Sequence, residues 1–230
     1  YEDAIIVVCN GAGISDIFSG LGATHIISGG QTMNPSTQDF LDIIDKIKAE
    51  RIYILPNNKN IVMTAEQAAD MADFEDVYVV PSKTFPQGIA ALMGYMPDID
   101  VEDNIENMKE SMAGVQSGEI TQAVRDTNID GVEIHENEYM SIVNGKIAAS
   151  KPTLEEAVEA MVDVMLQEDA ELISLHFGDN VEAADAEALV EQLEEKYEDV
   201  EFELYDGGQS VYHYIVSAEW GNNYSWKLQL

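Results

Sequence analysis

The side chains best placed to do chemistry sit where apolar runs stop. Gly29-Gly30-Gln31 follows the run THIIS, and Gly207-Gly208-Gln209 follows VEFELY and Asp206. Loops beyond strand ends of an open α/β sheet meet ligands and partners, so the two turns are expected to line a functional rim and to face one another across a cleft. LPNNKN places Asn57, Asn58, Lys59 and Asn60 at another such stop, and VPSKTFPQG places Ser82, Lys83, Thr84 and Gln87 at a fourth. Lys59 and Lys83 are two of only 11 basic residues, and among amides and hydroxyls they suit an anion or a carbonyl. The same residue types also dominate ordinary turns and helix caps.

Other constellations are incomplete. Asn10-Gly11-Ala12-Gly13 opens like a dinucleotide fingerprint, but Asp16 stands where the third glycine belongs and would oppose a pyrophosphate, which leaves a tight strand-to-helix turn. There is no Gly-x-Ser-x-Gly elbow, Walker loop or His-Glu-x-x-His, so no catalytic residue is expected. Cys9 is the single cysteine and lies in an apolar run, where a core role is expected. His25, His135, His176 and His213 lack metal-ligand spacing, so no metal site is expected. Arg125-Asp126 reads as a local ion pair or turn anchor, with a contact to the neighbouring lobe as its expected task.

The charge balance narrows the partners. Forty-four acids against 11 Lys and Arg give a net charge of −33, which disfavours nucleic acid and anionic lipid head groups. Between Thr153 and Glu203 the only basic residue is Lys196. That excess reads as solvated helical faces, with a docking face for a basic partner as the alternative. No apolar run approaches the roughly 20 residues needed to span a bilayer, and YEDAIIVVC lacks a basic signal-peptide start. A soluble, cytoplasmic chain without direct membrane insertion is expected. It starts on Tyr1, and a segment of a longer protein is expected.

The elements that must position these loops follow from periodicity. AIIVVC, THIIS, RIYIL and DVYVV alternate with stretches long enough for crossover helices, which predicts a Rossmann-like parallel-sheet lobe over residues 1–97. After Pro35, residues Phe40, Ile43, Ile44 and Ile47 share one helical face, and Ser36 with Asp39 forms a capping signal. PDIDVED marks the boundary, followed by a helix at Asn104 to Ala113. A mixed α/β lobe is expected over 98–219. Asp130-Gly131 and Asn144-Gly145 signal hairpins, helices are predicted near Leu154 to Gln167 and Ala183 to Lys196, and VYHYIVSAE is expected to close the sheet. Residues 220–230 fit no element and read as an extension, a docked arm or an expression remnant.

Five ordered blocks carry a family resemblance: GGQTMNPSTQDFL, LPNNKNIVMTAEQAA, VPSKTFPQGIAAL, AVRDTNIDGVEI and DGGQSVYHYIVS. Together they resemble the C-terminal region of the fatty acid kinase protein FakA, a DAK2 or dihydroxyacetone kinase-like family, over nearly all of residues 3–219. The chain is also distantly similar to DegV-like proteins, which implies an α/β, two-lobed DegV-like (EDD-type) fold. The resemblance implies that kinase chemistry, with its ATP and Mg, lies in other domains of a full-length chain, and that this region is noncatalytic and carries no cofactor. It implies that FakB, the DegV-like fatty-acid carrier, is the partner, together with the kinase and middle domains. In DegV-like proteins a head-group loop corresponds to Thr32, Met33, Asn34, Pro35 and Ser36 here, with Met33 in place of a hydroxyl. A second loop corresponds to Asn57 through Asn60 without its hydroxyls, and the closing motif is replaced around Gly207, Gly208 and Gln209. The expected rim comprises Gln31, Thr32, Asn34, Ser36, Asn57, Asn58, Lys59, Asn60, Lys83, Thr84, Arg125, Gly208 and Gln209. It is expected to dock a protein, the alternative being a lipid-sensing or small-molecule-sensing domain with an interlobe pocket.

Overall fold

The computed structural model describes residues 2–30 and 33–220. The polypeptide divides into two units, the first running to Ala113 and the second beginning at Gly114. In the first, β1 (Asp3–Cys9), β2 (His25–Ser28), β3 (Arg51–Leu55) and β4 (Val77–Val79) form one sheet in the order β2-β1-β3-β4. Every pairing in it is parallel. Parallel strands need crossovers, which α1 (Ala12–Gly20), α2 (Thr37–Ile44) and α3 (Lys59–Met71) supply. The strands are apolar throughout rather than alternating, because both sheet faces are covered. On one face Ile6, Val8, Ile52 and Ile54 pack with Phe40 and Ile44 of α2 and Ile61, Ala65 and Ala68 of α3. In α4 (Phe85–Gly94), Phe85 meets Phe18 of α1 edge-to-face at 5.6 Å.

The unit continues past the expected boundary at Pro97. In α5 (Val101–Ala113), Asn104 is fully buried; its Oδ1 accepts from Met96 N at 2.9 Å and its Nδ2 donates to Met96 O at 2.8 Å. Arg51 Nη1 donates to Ile99 O, while Arg51 Nε and Tyr95 OH both donate to the Asp3 carboxylate, at 2.7 and 2.6 Å. A Cβ at Gly94 would lie 2.4 Å from Ser111 Oγ, so α4 and α5 approach at a distance only glycine permits. The polar run PDIDVED is thus a pinned turn, and the division falls after α5.

The second unit holds β5 (Gln116–Gln122), β8 (Tyr139–Val143), β9 (Lys146–Lys151), β10 (Leu172–Phe177), β11 (Glu201–Asp206) and β12 (Tyr214–Glu219) in the order β11-β10-β12-β5-β8-β9. A separate hairpin pairs β6 (Thr127–Ile129) with β7 (Val132–Ile134). The two Gly-containing turns place hairpins where the sequence signals them. Asp130 and Gly131 have φ of 55° and 78°, Asn144 and Gly145 of 50° and 81°, the left-handed pair that a tight hairpin needs. The core lies under α6 (Leu154–Leu166) and α7 (Ala183–Lys196), where Ile120, Ile173, Leu175, Tyr214 and Val216 meet Val158, Met161, Met165, Leu189 and Leu193. VYHYIVSAE is shorter as a strand than expected and does not close the sheet. β12 lies between β10 and β5, antiparallel to both, with no residue exposed, which matches its continuous apolar character.

Candidate functional site

Each unit gathers its chemistry-bearing loops at one edge of its sheet. In the first unit all four strands run the same way, so the loops after β1, β2, β3 and β4 and the starts of α1 to α4 share an edge. Three of these helix starts are closed by side chains. Ser36 Oγ accepts from Asp39 N and Asp39 returns a carboxylate to Ser36 N, a reciprocal box that holds the Asp39 carboxyl below its usual pKa. Asn58 Oδ1 accepts from Asn60 N at 2.8 Å, and Thr84 Oγ1 accepts from Gln87 N at 3.2 Å. The start of α1, at Gly11 with φ 104°, has no side-chain cap.

Asn57 ties three strand ends together. Its N–H donates to Ser82 Oγ, Ser82 Oγ donates to Asn57 Oδ1 at 2.7 Å, and Asn57 Nδ2 donates to Val8 O at 3.0 Å. A Cβ at Gly88 would lie 2.0 Å from Asn57 Oδ1, so α4 presses directly on this amide. Asn57 adopts φ 56°, a conformation Asn tolerates better than most residues. The polar groups of Asn57, Asn58, Ser36 and Thr84 are therefore engaged by the chain itself. Lys83 N donates to Gln87 Oε1, while the side chains of Lys59, Lys83, Asn34 and Asn60 lie on exposed residues. Neither lysine belongs to an ion pair among the described residues. Gln31 and Thr32 lie outside the described residues. Their neighbours form a closed turn: Gly30 and Met33 exchange both backbone hydrogen bonds, and a Cβ at Gly29 would meet Met33 O and Pro35 Cδ at 2.9 Å.

In the second unit the ends of β10, β11 and β5 and the start of β12 share an edge. Gln209 points into the fold rather than out of it. It is 2% exposed, its Nε2 donates to His176 O at 2.8 Å, and its own backbone carbonyl accepts from Asp179 N. Its Oε1 would sit 2.0 Å from a Cβ at position 207, which explains the glycine there. Gly208 takes φ 65°. Arg125 and Asp126 do not pair: the Asp126 carboxylate accepts from Glu136 N at 2.7 Å, and Arg125 is exposed and joins no ion pair among the described residues.

Two residues of this edge carry no sequence signal. Val211 has φ 70°, and Tyr212 N donates to Ser210 O at 2.8 Å, closing a three-residue turn around it. Val124 is 85% exposed. Both look like strand residues in one dimension.

The titratable groups give no nucleophile-and-base set. Burial pushes the Cys9 thiol up to about 11, against the opposing hydrogen bond from Ser15, so it stays protonated at neutral pH. Burial holds His213 below its usual range. The Tyr212 phenol is raised, first by burial and then by the Glu119 carboxylate beside it. Among the described residues no group of three or more His, Cys, Asp and Glu is placed to hold a metal ion, and no helix is long and apolar enough to cross a membrane.

Comparison with known proteins accounts for this arrangement. A family model described as fatty acid kinase FakA-like, C-terminal, matches residues 4–219. Uncharacterized proteins of Staphylococcus aureus strains USA300 and NCTC 8325 are each 47% identical over 218 residues, covering 95% of this chain and 40% of the relative. The chain thus spans about two fifths of the length of these curated relatives. A DegV lipid binding protein from Thermotoga maritima superposes with a TM-score of 0.69 at 14% identity over 95% of this chain and 98% of its own. The Streptococcus pneumoniae Fatty Acid Kinase (Fak) B3 protein loaded with linoleic acid gives 0.64 at 12% identity, over 95% and 99%. The dihydroxyacetone kinase of C. freundii gives 0.66 at 13% identity, over 95% and 48%. At these identities the likeness shows the fold, which is two-lobed and DegV-like.

Proposed function

The chain belongs to the FakA-like C-terminal family of fatty acid kinase proteins, and on that premise we propose that it is the noncatalytic part of a fatty acid kinase that binds a FakB-type acyl carrier. It presents the carrier's acyl carboxylate to a kinase domain elsewhere in the longer protein, which uses ATP and Mg there. Tethering makes the meeting of kinase and carrier nearly intramolecular, raising their effective concentration without new chemistry in this chain.

The observation that carries the reading is the state of the strand-end loops. A bare carboxylate needs several convergent donors, each hydrogen bond to it contributing about 1.5–3 kcal/mol. Here Ser36, Asn57, Asn58 and Thr84 spend their polar groups on helix caps and strand ends, and Gln209 spends its amide N–H on His176 O. A DegV-like frame whose loops serve themselves suits protein docking better than head-group binding.

Titration calorimetry of this chain against a FakB-type protein loaded with fatty acid is expected to show saturable binding, and the chain alone is expected to hydrolyse no ATP. Carrier binding by the remainder of the full-length protein, with none by this chain, would overturn the reading. Stoichiometric fatty acid found by mass spectrometry in the purified chain would turn it toward lipid sensing.

A further inference from the structure

Val211 is a β-branched residue held in the left-handed region, at φ 70°. Such residues are true outliers there, because Cβ crowds the backbone. The conformation persists because its surroundings fix it. Gly178 N donates to His213 O, Asp179 N to Gln209 O and His213 N to Ile120 O, and Tyr212 beside it is buried. The same loop contains Gly207 and Gly208, so glycine is compatible with the neighbourhood, yet the position with the costly backbone carries an isopropyl group. That side chain is not core: Val211 is 37% exposed. Strain held in place at an exposed position points to a site of function.

A second apolar residue stands beside it. β5 and β12 pair with Ile120 opposite Tyr214, so the segment after Gln122 leaves the sheet at the same edge as the loop before Tyr214. On that segment Val124 is 85% exposed. Arg125 follows, exposed and in no ion pair among the described residues, since the Asp126 carboxylate is taken by a backbone N–H. Elsewhere in the unit the helical faces are acidic, with Glu187, Glu191, Glu194 and Glu195 exposed on α7. This edge therefore combines two aliphatic side chains with a cation whose charge awaits a partner.

We infer that this edge, through Val124, Val211 and Arg125, is the surface that takes the acyl carrier, and that the carrier presents to it an aliphatic patch bordered by a carboxylate. The inference rests on the carrier-binding reading above. Charge complementarity selects an acidic border, and the fixed turn removes part of the ordering cost of docking.

The test is calorimetry of the chain and four variants against the loaded carrier, with thermal unfolding of each. Val124→Asp and Arg125→Glu are expected to weaken binding by about tenfold or more with unchanged melting temperature. Val211→Asn is expected to weaken binding while melting no lower, because Asn tolerates the left-handed backbone. Glu191→Gln on α7 should bind as the parent does. Parent-like affinity in the Val124 and Arg125 variants would overturn this surface and leave carrier binding standing. A lower melting temperature for Val211→Asn would assign Val211 to the fold and remove it from the surface. No binding by the parent chain would overturn both readings.

Discussion

His213 shows how a single side chain couples the second unit's edge loop to pH. Its Nδ1 is buried without a hydrogen-bond partner, its ring meets Tyr139 edge-to-face at 5.2 Å, and burial lowers its pKa from the ordinary 6.5. The folded chain therefore binds this proton less readily than the unfolded chain. Stability rises with pH wherever the unfolded state holds more protons, so the folded state is at full strength above about pH 6.5 and weakens as pH falls through that value. Melting temperature measured between pH 8 and 5.5 is expected to fall, and His213→Gln to fall less steeply over that interval. Equal slopes for the two proteins would show that His213 protonation is not linked to folding. Nothing in YDGGQSVYHY distinguishes His213 from the other three histidines. Its burial arises from β12 lying between two strands, a long-range fact that local sequence does not encode.

At the scale of elements, the readable features were those with local causes. Ser36 with Asp39 gave the start of α2, Asp130-Gly131 and Asn144-Gly145 gave the hairpins, and strand runs between crossovers gave the parallel sheet. The features that escaped depend on distant partners. PDIDVED looks like a linker until buried Asn104 and Arg51 take its backbone groups. The last strand lies inside its sheet because β10 and β5 are there to receive it. Among the candidate residues, Asn57 and Gln209 were legible as strand-end polar groups, but the inward direction of their amides was not. Gly118 makes the same point in a testable form. It lies on β5, and a Cβ there would sit 2.4 Å from Met161 Sδ and 2.6 Å from Met165 Cε, so α6 seats itself on the missing side chain. Gly118→Val is expected to destabilise by about 1–3 kcal/mol or more through overpacking. The companion Met161→Ala in the same background should recover part of that loss, read by urea unfolding. Loss without recovery would mean that the glycine serves backbone freedom rather than close packing.

At the scale of the whole molecule, charge sets the terms on which the fold survives. Forty-four acids face 11 Lys and Arg, and among the described residues only Arg51–Asp3 and Lys196–Glu159 form ion pairs. Nearly all of the −33 is therefore uncompensated and acts as self-repulsion in the compact state, which the unfolded chain relieves by spreading its charges. The Debye length is about 30 Å at 0.01 M salt and about 8 Å at 0.15 M, so modest salt removes repulsion between exposed carboxylates more than a few residues apart. The melting temperature at pH 7.5 is expected to rise by several degrees between about 0.01 and 0.15 M sodium chloride, with smaller gains beyond, since most of the range of the repulsion is screened by then. Potassium chloride should act equally, because screening depends on ionic strength and not on the cation. At pH 5, closer to the isoelectric point of about 4.1, carboxylates begin to take up protons and the gain should shrink. A melting temperature indifferent to salt at pH 7.5 would mean that the acids are spaced widely enough for water alone to screen them, and the acidic helices would then carry no folding penalty.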